Sequence, residues 1–447
     1  MRTKRLRMTT DFYKYLFFLN RNDGISLIIN LIIFFMSLIT FIFGNHNISK
    51  SFSEFNLVVL VLASYSLFNI VWGLIEKYKE VQNFTGKNKE IEMSTKTNMV
   101  KDDNVFQLED INCEKRGKWL FDNYSPDNLE QNRVIWSKGL NIHLWDNDIE
   151  LKIDPVRKKK VKKFILKNRE ILTPFLQYKY YNSRKNNQLF FNESKLCMSS
   201  DINPSRSYIK CYRSDYFNSF LTNEISTSVL KRVEDATIIY DASNFFPCEY
   251  NKAKGLYYLQ PIDKCEMNNH IGISTLAVTT DNYLVIRKQA TTSQQNINKY
   301  VPTGSGSCDW SDMQKDSFCS TIEFAMKREL WEENGGKELN VSVNEFGETK
   351  ILGFYRWLQR GGKPEFVGIT KLNFSQDQLD PDSIELIDTN NKAIPDTFYI
   401  ESVTDLPHII SEIKEIGNVS LPLHMCLDAL EHFYEERSSE LEQLLNL

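Results

Sequence analysis

The chain has 447 residues, with 54 Lys and Arg against 58 Asp and Glu, for a formal net charge of −4. A balance this close to neutral carries no whole-chain electrostatic signature for DNA. The eight cysteines include no CxxC pair and the six histidines no zinc-like spacing, which excludes a disulfide scaffold and a zinc module.

Residues 1–23 form a basic N-terminus carrying Arg2, Lys4, Arg5, Arg7, Lys14 and Arg21. Two runs without a charged residue follow, at 24–43 and 57–75. Each holds about twenty residues, and at ~1.5 Å per residue a helix of that length crosses a hydrocarbon layer of ~30 Å. A cleavable signal peptide does not fit, because the charged preamble is long and a second run follows. The two runs therefore read as a transmembrane helical hairpin. The short connection between them carries one basic residue, Lys50, whereas Lys77, Lys79, Lys87 and Lys89 follow the second run. This bias puts both termini in the cytoplasm. Within the runs, Ser26, Asn30, Ser37 and Thr40 fall on one helical face, and Ser66, Asn69 and Gly73 on another. Such faces are where membrane helices meet; they pack the hairpin, gather several copies or line a water path.

Residues 76–105 are polar and read as a juxtamembrane linker, starting as a continuation of the second helix. Residues 106–258 are rich in aromatics and read as an α+β extension of unassigned role. Residues 135–153 look strand-like in pieces. Asp154 and Pro155 then start a helix over 156–172, since Asp caps and Pro suits the first turn. That helix carries Arg157, Lys158, Lys159, Lys160, Lys162, Lys163, Lys167 and Arg169, with Val161, Phe164 and Ile165 on the other side. The basic face is solvated, meets anionic lipid or attracts a polyanionic ligand. Residues 224–243 suggest a helix and a strand.

Residues 273–288 read as strand, turn at Asp281-Asn282, and strand. Val301-Pro-Thr-Gly304-Ser-Gly306 leads on to Arg328-Glu329-Leu330-Trp331-Glu332-Glu333-Asn334-Gly335. Glu329, Glu332 and Glu333 stand at i, i+3 and i+4, so a helix places them on one face. Crowded carboxylates repel unless a cation sits among them, and Mg²⁺ favours hard oxygen ligands. Arg328 offers a fork for a carboxylate or phosphate. An acidic solvated helix end is the plainer alternative. A second strand pair, 351–357 and 366–374, and an amphipathic helix with Leu423, Leu427, Leu430 and Phe433 on its buried stripe complete the segment, ending in a polar tail over 435–442.

The string 328–335 resembles the core of the NUDIX box, Arg-Glu-aliphatic-any-Glu-Glu-any-Gly. The resemblance spans 268–434 and implies an α/β fold, the NUDIX α/β/α sandwich. It implies Glu329, Glu332 and Glu333 as metal ligands for Mg²⁺, with Glu332 and Glu333 catalytic if the domain hydrolyses. Arg328, Gly304 and Gly306 are the candidates for contact with phosphate or nucleotide. Three departures stand out: Ser320 occupies the place of the first glutamate, the loop from 307 to 318 is expanded, and Gly336 replaces an aliphatic residue. Losing the first glutamate while keeping the other three suits a site turned from hydrolysis towards binding.

A NUDIX-like domain behind a two-helix membrane segment resembles the transmembrane NUDIX effectors of CBASS, the cyclic-oligonucleotide-based anti-phage signalling systems of bacteria. The resemblance implies a cytosolic domain that senses a cyclic nucleotide, homo-oligomerises and lets the two spans disrupt the inner membrane lipids, killing the infected cell. The alternative is a membrane-tethered NUDIX hydrolase that uses Mg²⁺ to cleave a nucleoside diphosphate derivative or the messenger itself. A scaffold with neither activity is the third expectation.

Overall fold

The structure is a computed structural model that describes residues 2–44, 52–87, 90–95, 107–108, 134–251, 256–288, 299–336, 339–379 and 396–447. The loop between the two apolar runs, much of the linker and residues 109–133 of the extension lie outside the described residues. The chain divides into two units, 1–94 with 165–192 and 230–241, and 95–164 with 193–229 and 242–447.

The first unit starts with helix α1 (Arg2–Leu19). Met8, Phe12, Tyr15, Leu16 and Leu19 are buried along one stripe, at the three- and four-residue steps that bring side chains to one helical face. Phe12 stacks on Tyr180 with ring centroids 3.8 Å apart, and the Tyr180 hydroxyl donates to Thr9 at 3.2 Å. The N-terminus is thus a folded helix with a packed face, its basic residues being only one side of it.

Helices α2 (Arg21–Gly44) and α3 (Phe52–Lys87) contain the two apolar runs and pack against each other. Their burial pattern is inverted relative to a water-soluble pair. Ile28, Ile32, Phe35, Met36, Leu57, Val58, Val61 and Phe68 are each more than half exposed, while Ser37 and Ser66 are buried. Asn69 Nδ2 donates to Asn30 Oδ1 at 3.4 Å across the helix pair. The polar faces expected from sequence do meet, and the apolar residues line the outside. Among the described residues one stretch, Leu57–Glu76 with mean hydropathy 2.1, is long and apolar enough to cross a membrane; on α2 the described apolar stretch is shorter, Ser26–Thr40. Helix α3 continues to Lys87, so the first part of the polar linker is helical.

The second unit holds an eight-stranded mixed sheet. In chain order its elements are β1 (Val134–Trp136), α4 (Lys138–Asp146), β2 (Glu150–Ile153), α5 (Arg157–Lys167), α6 (Arg169–Lys185, which belongs to the first unit), β3 (Ser194–Met198), β4 (Tyr208–Asp215), β5 (Gly272–Val278), β6 (Tyr283–Lys288), β7 (Tyr300–Val301), β8 (Gly304–Ser307), α7 (Phe318–Glu333), β9 (Gly347–Trp357), β10 (Lys363–Leu372), β11 (Asp396–Tyr399), α8 (Leu406–Glu415) and α9 (Leu421–Leu445). The main sheet runs β7-β6-β5-β10-β9-β1, with β8 on β5 and β11 on β6. Strands β5 and β10 pair in parallel. A second, three-stranded sheet runs β2-β4-β3.

Alternation along the strands decides the layers. Leu276, Val278, Leu284 and Ile286 pack with α8 and α9, through Ile410, Leu427, Leu430 and Phe433. Ala277 and Val285, one residue out of phase, pack with Leu330 of α7. Ile273, Phe354 and Phe366 meet Phe318, Ile322 and Met326 of the same helix. The sheet therefore has helices on both faces, and α7, which carries the box, lies on one of them.

Several boundaries differ from the sequence reading. Strand β1 pairs with β9 through Trp136 and Tyr355, so 134–136 belongs to the main sheet. The helix expected over 156–172 breaks at Asn168 into α5 and α6. Asp154 Oδ1 does accept the backbone N–H groups of Val156 and Arg157, at 2.9 and 3.2 Å. Arg157 is not on the basic surface: it is 4 % exposed and donates to the carbonyls of Ile262 at 2.8 Å, Met267 at 3.2 Å and Cys265. Over 224–243 there are two strands, Ser228–Arg232 and Ile238–Asp241, and the helical turn before them is Phe220–Glu224. The polar tail is still helix, kinked at Arg437, with Leu441 and Leu445 buried.

Candidate functional site

Helix α7 starts at Ser317, whose hydroxyl accepts the Ser320 N–H. Ser320 lies in the first turn, and Ser317 Oγ donates to its hydroxyl at 3.1 Å. The residue that replaces the first box glutamate is thus part of the helix cap, a role serine suits. At the other end Gly335 adopts φ +76°, the left-handed conformation that ends helices. Asn334 Nδ2 donates to the carbonyls of Leu330 at 2.7 Å and Thr303 at 3.3 Å. Arg287 of β6, 4 % exposed, donates to the Glu333 carbonyl at 3.1 Å and to Asn334 Oδ1. The N-terminal end of the helix is closed by its own cap, and the C-terminal end is fastened to β6.

Between those ends α7 presses against β8, and the two candidate glycines permit it. A Cβ on Gly304 would lie 3.0 Å from Leu330 Cα, and one on Gly306 2.3–2.5 Å from the Glu329 carboxyl group. The backbone N–H of Ser305 donates to Glu333 Oε2 at 3.2 Å, and that of Ser307 to Glu329 Oε1 at 3.3 Å. Two box glutamates thereby satisfy the outer edge of β8, where a further strand would otherwise be needed. Gly336, in the aliphatic place of the box, is accounted for as well: a Cβ there would sit 2.0 Å from the Trp331 ring.

The cation among the carboxylates is Arg328. Its Nε and Nη2 donate to Asp312 Oδ1 and Oδ2 at 2.7 and 2.9 Å. Nη2 also donates to Glu329 Oε1 and to the Ser307 carbonyl, each at 3.1 Å, and Nη1 to Glu332 Oε2 at 3.1 Å. Asp312 is 1 % exposed, Arg328 13 % and Glu332 44 %. Asp309 and Asp312 close a capping box around the short turn Trp310–Asp312. Asp309 also takes Lys195 of β3 at 2.6 Å, and Lys195 is 8 % exposed. Lys195, Asp309, Arg328, Asp312 and Glu329 make one ion-paired chain from β3 to α7.

Burial is the largest influence on each charge here. It pushes the Glu329 carboxyl up to about 7, against the opposing pull of Arg328 and Lys195. Burial also works against the Lys195 ammonium, but Asp309 and Glu193 outweigh it and hold the pKa above its ordinary value. For Arg328, burial is overcome by the hydrogen bonds to Asp312 and the charge of Glu329, and its pKa rises. On another face of α7, Glu323 is pushed up to about 7 by burial, although it accepts the Ile351 N–H at 3.3 Å.

The oxygen donors suit a hard cation by type. Their arrangement does not fit one: Glu329 and Glu332 are turned onto Arg328, and among the described residues no group of three His, Cys, Asp or Glu side chains converges to hold a metal ion. Arg328, Glu329, Glu332, Glu333, Gly304 and Gly306 are all brought together. Sequence reasoning missed Lys195, Asp309, Asp312 and Arg287. Only Asp309-Trp-Ser-Asp312 carried a local signal, a polar N-cap followed three residues later by an acid.

No family model matches the chain, and no curated protein matches it. Among solved structures it is similar to a MutT protein from Methanosarcina mazei Go1, at 13 % identity over 37 % of this chain and 94 % of that one, with a TM-score of 0.23. It is also similar to the DR0079 protein of Deinococcus radiodurans, at 14 % identity over 34 % of this chain and 75 % of that one, with a TM-score of 0.21. At such scores the likeness carries no weight of its own. The second unit is a mixed α/β domain in which a helix with box-like spacing packs on a glycine-bearing strand.

Proposed function

We propose that the second unit is a NUDIX-like domain that binds a nucleotide without turning it over, and that the chain is a membrane effector of a CBASS-type anti-phage system. Its ligand is a cyclic oligonucleotide. Binding gathers copies of the chain, and α2 and α3 then disrupt the bacterial inner membrane from the cytoplasmic side, ending in abortive infection.

One observation supports binding over turnover in this reading: Arg328 fills the space between Asp312, Glu329 and Glu332, so the carboxylates that would gather a metal are engaged by a guanidinium. Ser320, tied into the helix cap, supports the same direction. The outward apolar and inward polar residues of α2 and α3 support membrane residence.

The test is incubation of the purified full chain, in detergent, with a panel of cyclic di- and trinucleotides, with and without Mg²⁺. The reading expects one ligand to be retained intact while the oligomeric state rises. Stoichiometric release of linear or monophosphate product that requires Mg²⁺ would instead establish the tethered hydrolase.

A further inference from the structure

A cavity of about 470 Å³ opens within the first unit beside α2 and α3. Tyr65, Asn69, Trp72 and Glu76 line it from α3 at helical spacing, Ser26 and Asn30 from α2, and Phe17 closes it from α1. Ser26 and Asn30 stand at the start of the apolar stretch of α2, and Trp72 and Glu76 at the end of that of α3. The cavity therefore runs from the middle of the helix pair, at Tyr65, to one end, where Trp72 and Glu76 lie at the depth of lipid headgroups if these helices span a bilayer; the inference rests on that reading.

Its chemistry is selective. Tyr65, Trp72 and Phe17 offer aromatic surface, Glu76 a carboxylate, and Ser26 and Asn30 neutral acceptors. Aromatic faces beside a carboxylate recognise an ammonium group. Lys79 Nζ lies 6.0 Å from the Trp72 centroid, so a bound ammonium takes the place of Lys79 over that ring. Lys79, one helical turn beyond Glu76, is at hand for the phosphodiester of the same molecule. We propose that this cavity binds the ammonium headgroup of a zwitterionic phospholipid. Phosphatidylglycerol, which has a phosphodiester but no amine, satisfies only Lys79.

The full chain in detergent is titrated with phosphatidylethanolamine, phosphatidylglycerol and free ethanolamine, and bound lipid is counted by native mass spectrometry. Phosphatidylethanolamine is expected to be retained at least about fivefold better than phosphatidylglycerol, and Trp72→Leu or Glu76→Gln to lower that preference about fivefold, while Glu76→Asp keeps most of it. Equal retention of the two lipids, or a preference untouched by Glu76→Gln, overturns the proposal. Displacement of the lipid by equimolar free ethanolamine overturns the lipid assignment in favour of a soluble amine. Recovery of the chain in the aqueous fraction without detergent would defeat the membrane reading; membrane recovery with equal lipid retention would defeat this inference alone.

Discussion

Arg328 grips Asp312 with two parallel hydrogen bonds, Nε to Oδ1 at 2.7 Å and Nη2 to Oδ2 at 2.9 Å, on a carboxylate that is 1 % exposed. A paired guanidinium of this kind is a fixed part of the domain rather than an arm free to swing. Removing Asp312 leaves a nearly buried positive charge among weaker partners. Asp312→Ala is expected to destabilise the second unit by about 3–5 kcal/mol, the range for breaking one side of a buried pair. Denaturant unfolding measures it, and a loss below about 1 kcal/mol would show that the pair is not structural.

Glu329 gives the domain a pH dependence of known sign. Its folded pKa of about 7 stands above the ordinary 4.5. The folded protein keeps a proton that the unfolded chain releases, so the stabilising contribution is complete below the unfolded value and disappears as pH rises through 7. Glu323 is displaced in the same direction and to about the same value. Thermal stability should fall between about pH 5 and about pH 8, by on the order of 2 kcal/mol for each group. Glu329→Gln should remove roughly half of that slope, and an unaltered slope would place the carboxyl elsewhere.

Gly306 and Gly304 test the close approach of β8 to α7. Gly306→Ala puts a methyl group into the Glu329 carboxylate, which can turn away, whereas Gly304→Ala pushes on the Leu330 backbone, which cannot. Gly304→Ala is expected to cost about 1–3 kcal/mol by overpacking. Gly306→Ala should cost less in stability but release the Ser307 N–H and weaken ligand binding. Calorimetric titration with the ligand, alongside thermal unfolding, separates the two effects.

Glu332 is the most exposed of the three glutamates, at 44 %. Glu332→Gln should leave stability within about 0.5 kcal/mol and leave ligand binding in place. Chelation of divalent ions should likewise leave affinity unchanged. A large loss of affinity in either experiment would mean that a metal bridges ligand and carboxylates.

Membrane damage should depend on the apolar exterior of α3. Leu67, 46 % exposed, lies in the middle of the stretch Leu57–Glu76. Leu67→Arg adds about 2.5–3.5 kcal/mol to insertion at the helix centre. Dye leakage and cell killing should be lost while soluble ligand binding persists. Truncating the N-terminus is a poorer test, because α1 packs Phe12 on Tyr180 and its removal would strip a core face.

The box helix was legible in the sequence because its signals are local. The i, i+3, i+4 carboxylates, the Gly335 stop and the Asp281-Asn282 turn each act within a few residues, and Asn282 indeed takes φ +63°. The buried stripe of α9 followed from its periodicity for the same reason. That Arg328 offers a fork for a carboxylate was legible; that Asp312 takes it, and that Lys195 and Asp309 extend the chain of ion pairs, was not. Lys195 reaches Asp309 across 114 residues of chain, and Arg328 reaches Asp312 across 16 through a loop with no periodic pattern. Arg157 shows the same limit: a basic run predicts a solvated face, and only tertiary contacts turn one arginine inward to bind carbonyl groups. Strand β1 is three residues long, too short for alternation to announce it.

The most direct test of the receptor reading is the fate of bound ligand. Full-length protein in detergent, Mg²⁺ present, is mixed with its tightest cyclic oligonucleotide and the ligand is recovered after binding saturates. The account predicts intact cyclic ligand and an increased oligomeric mass. Complete conversion to a linear or monophosphate product, with no change of mass, would contradict it.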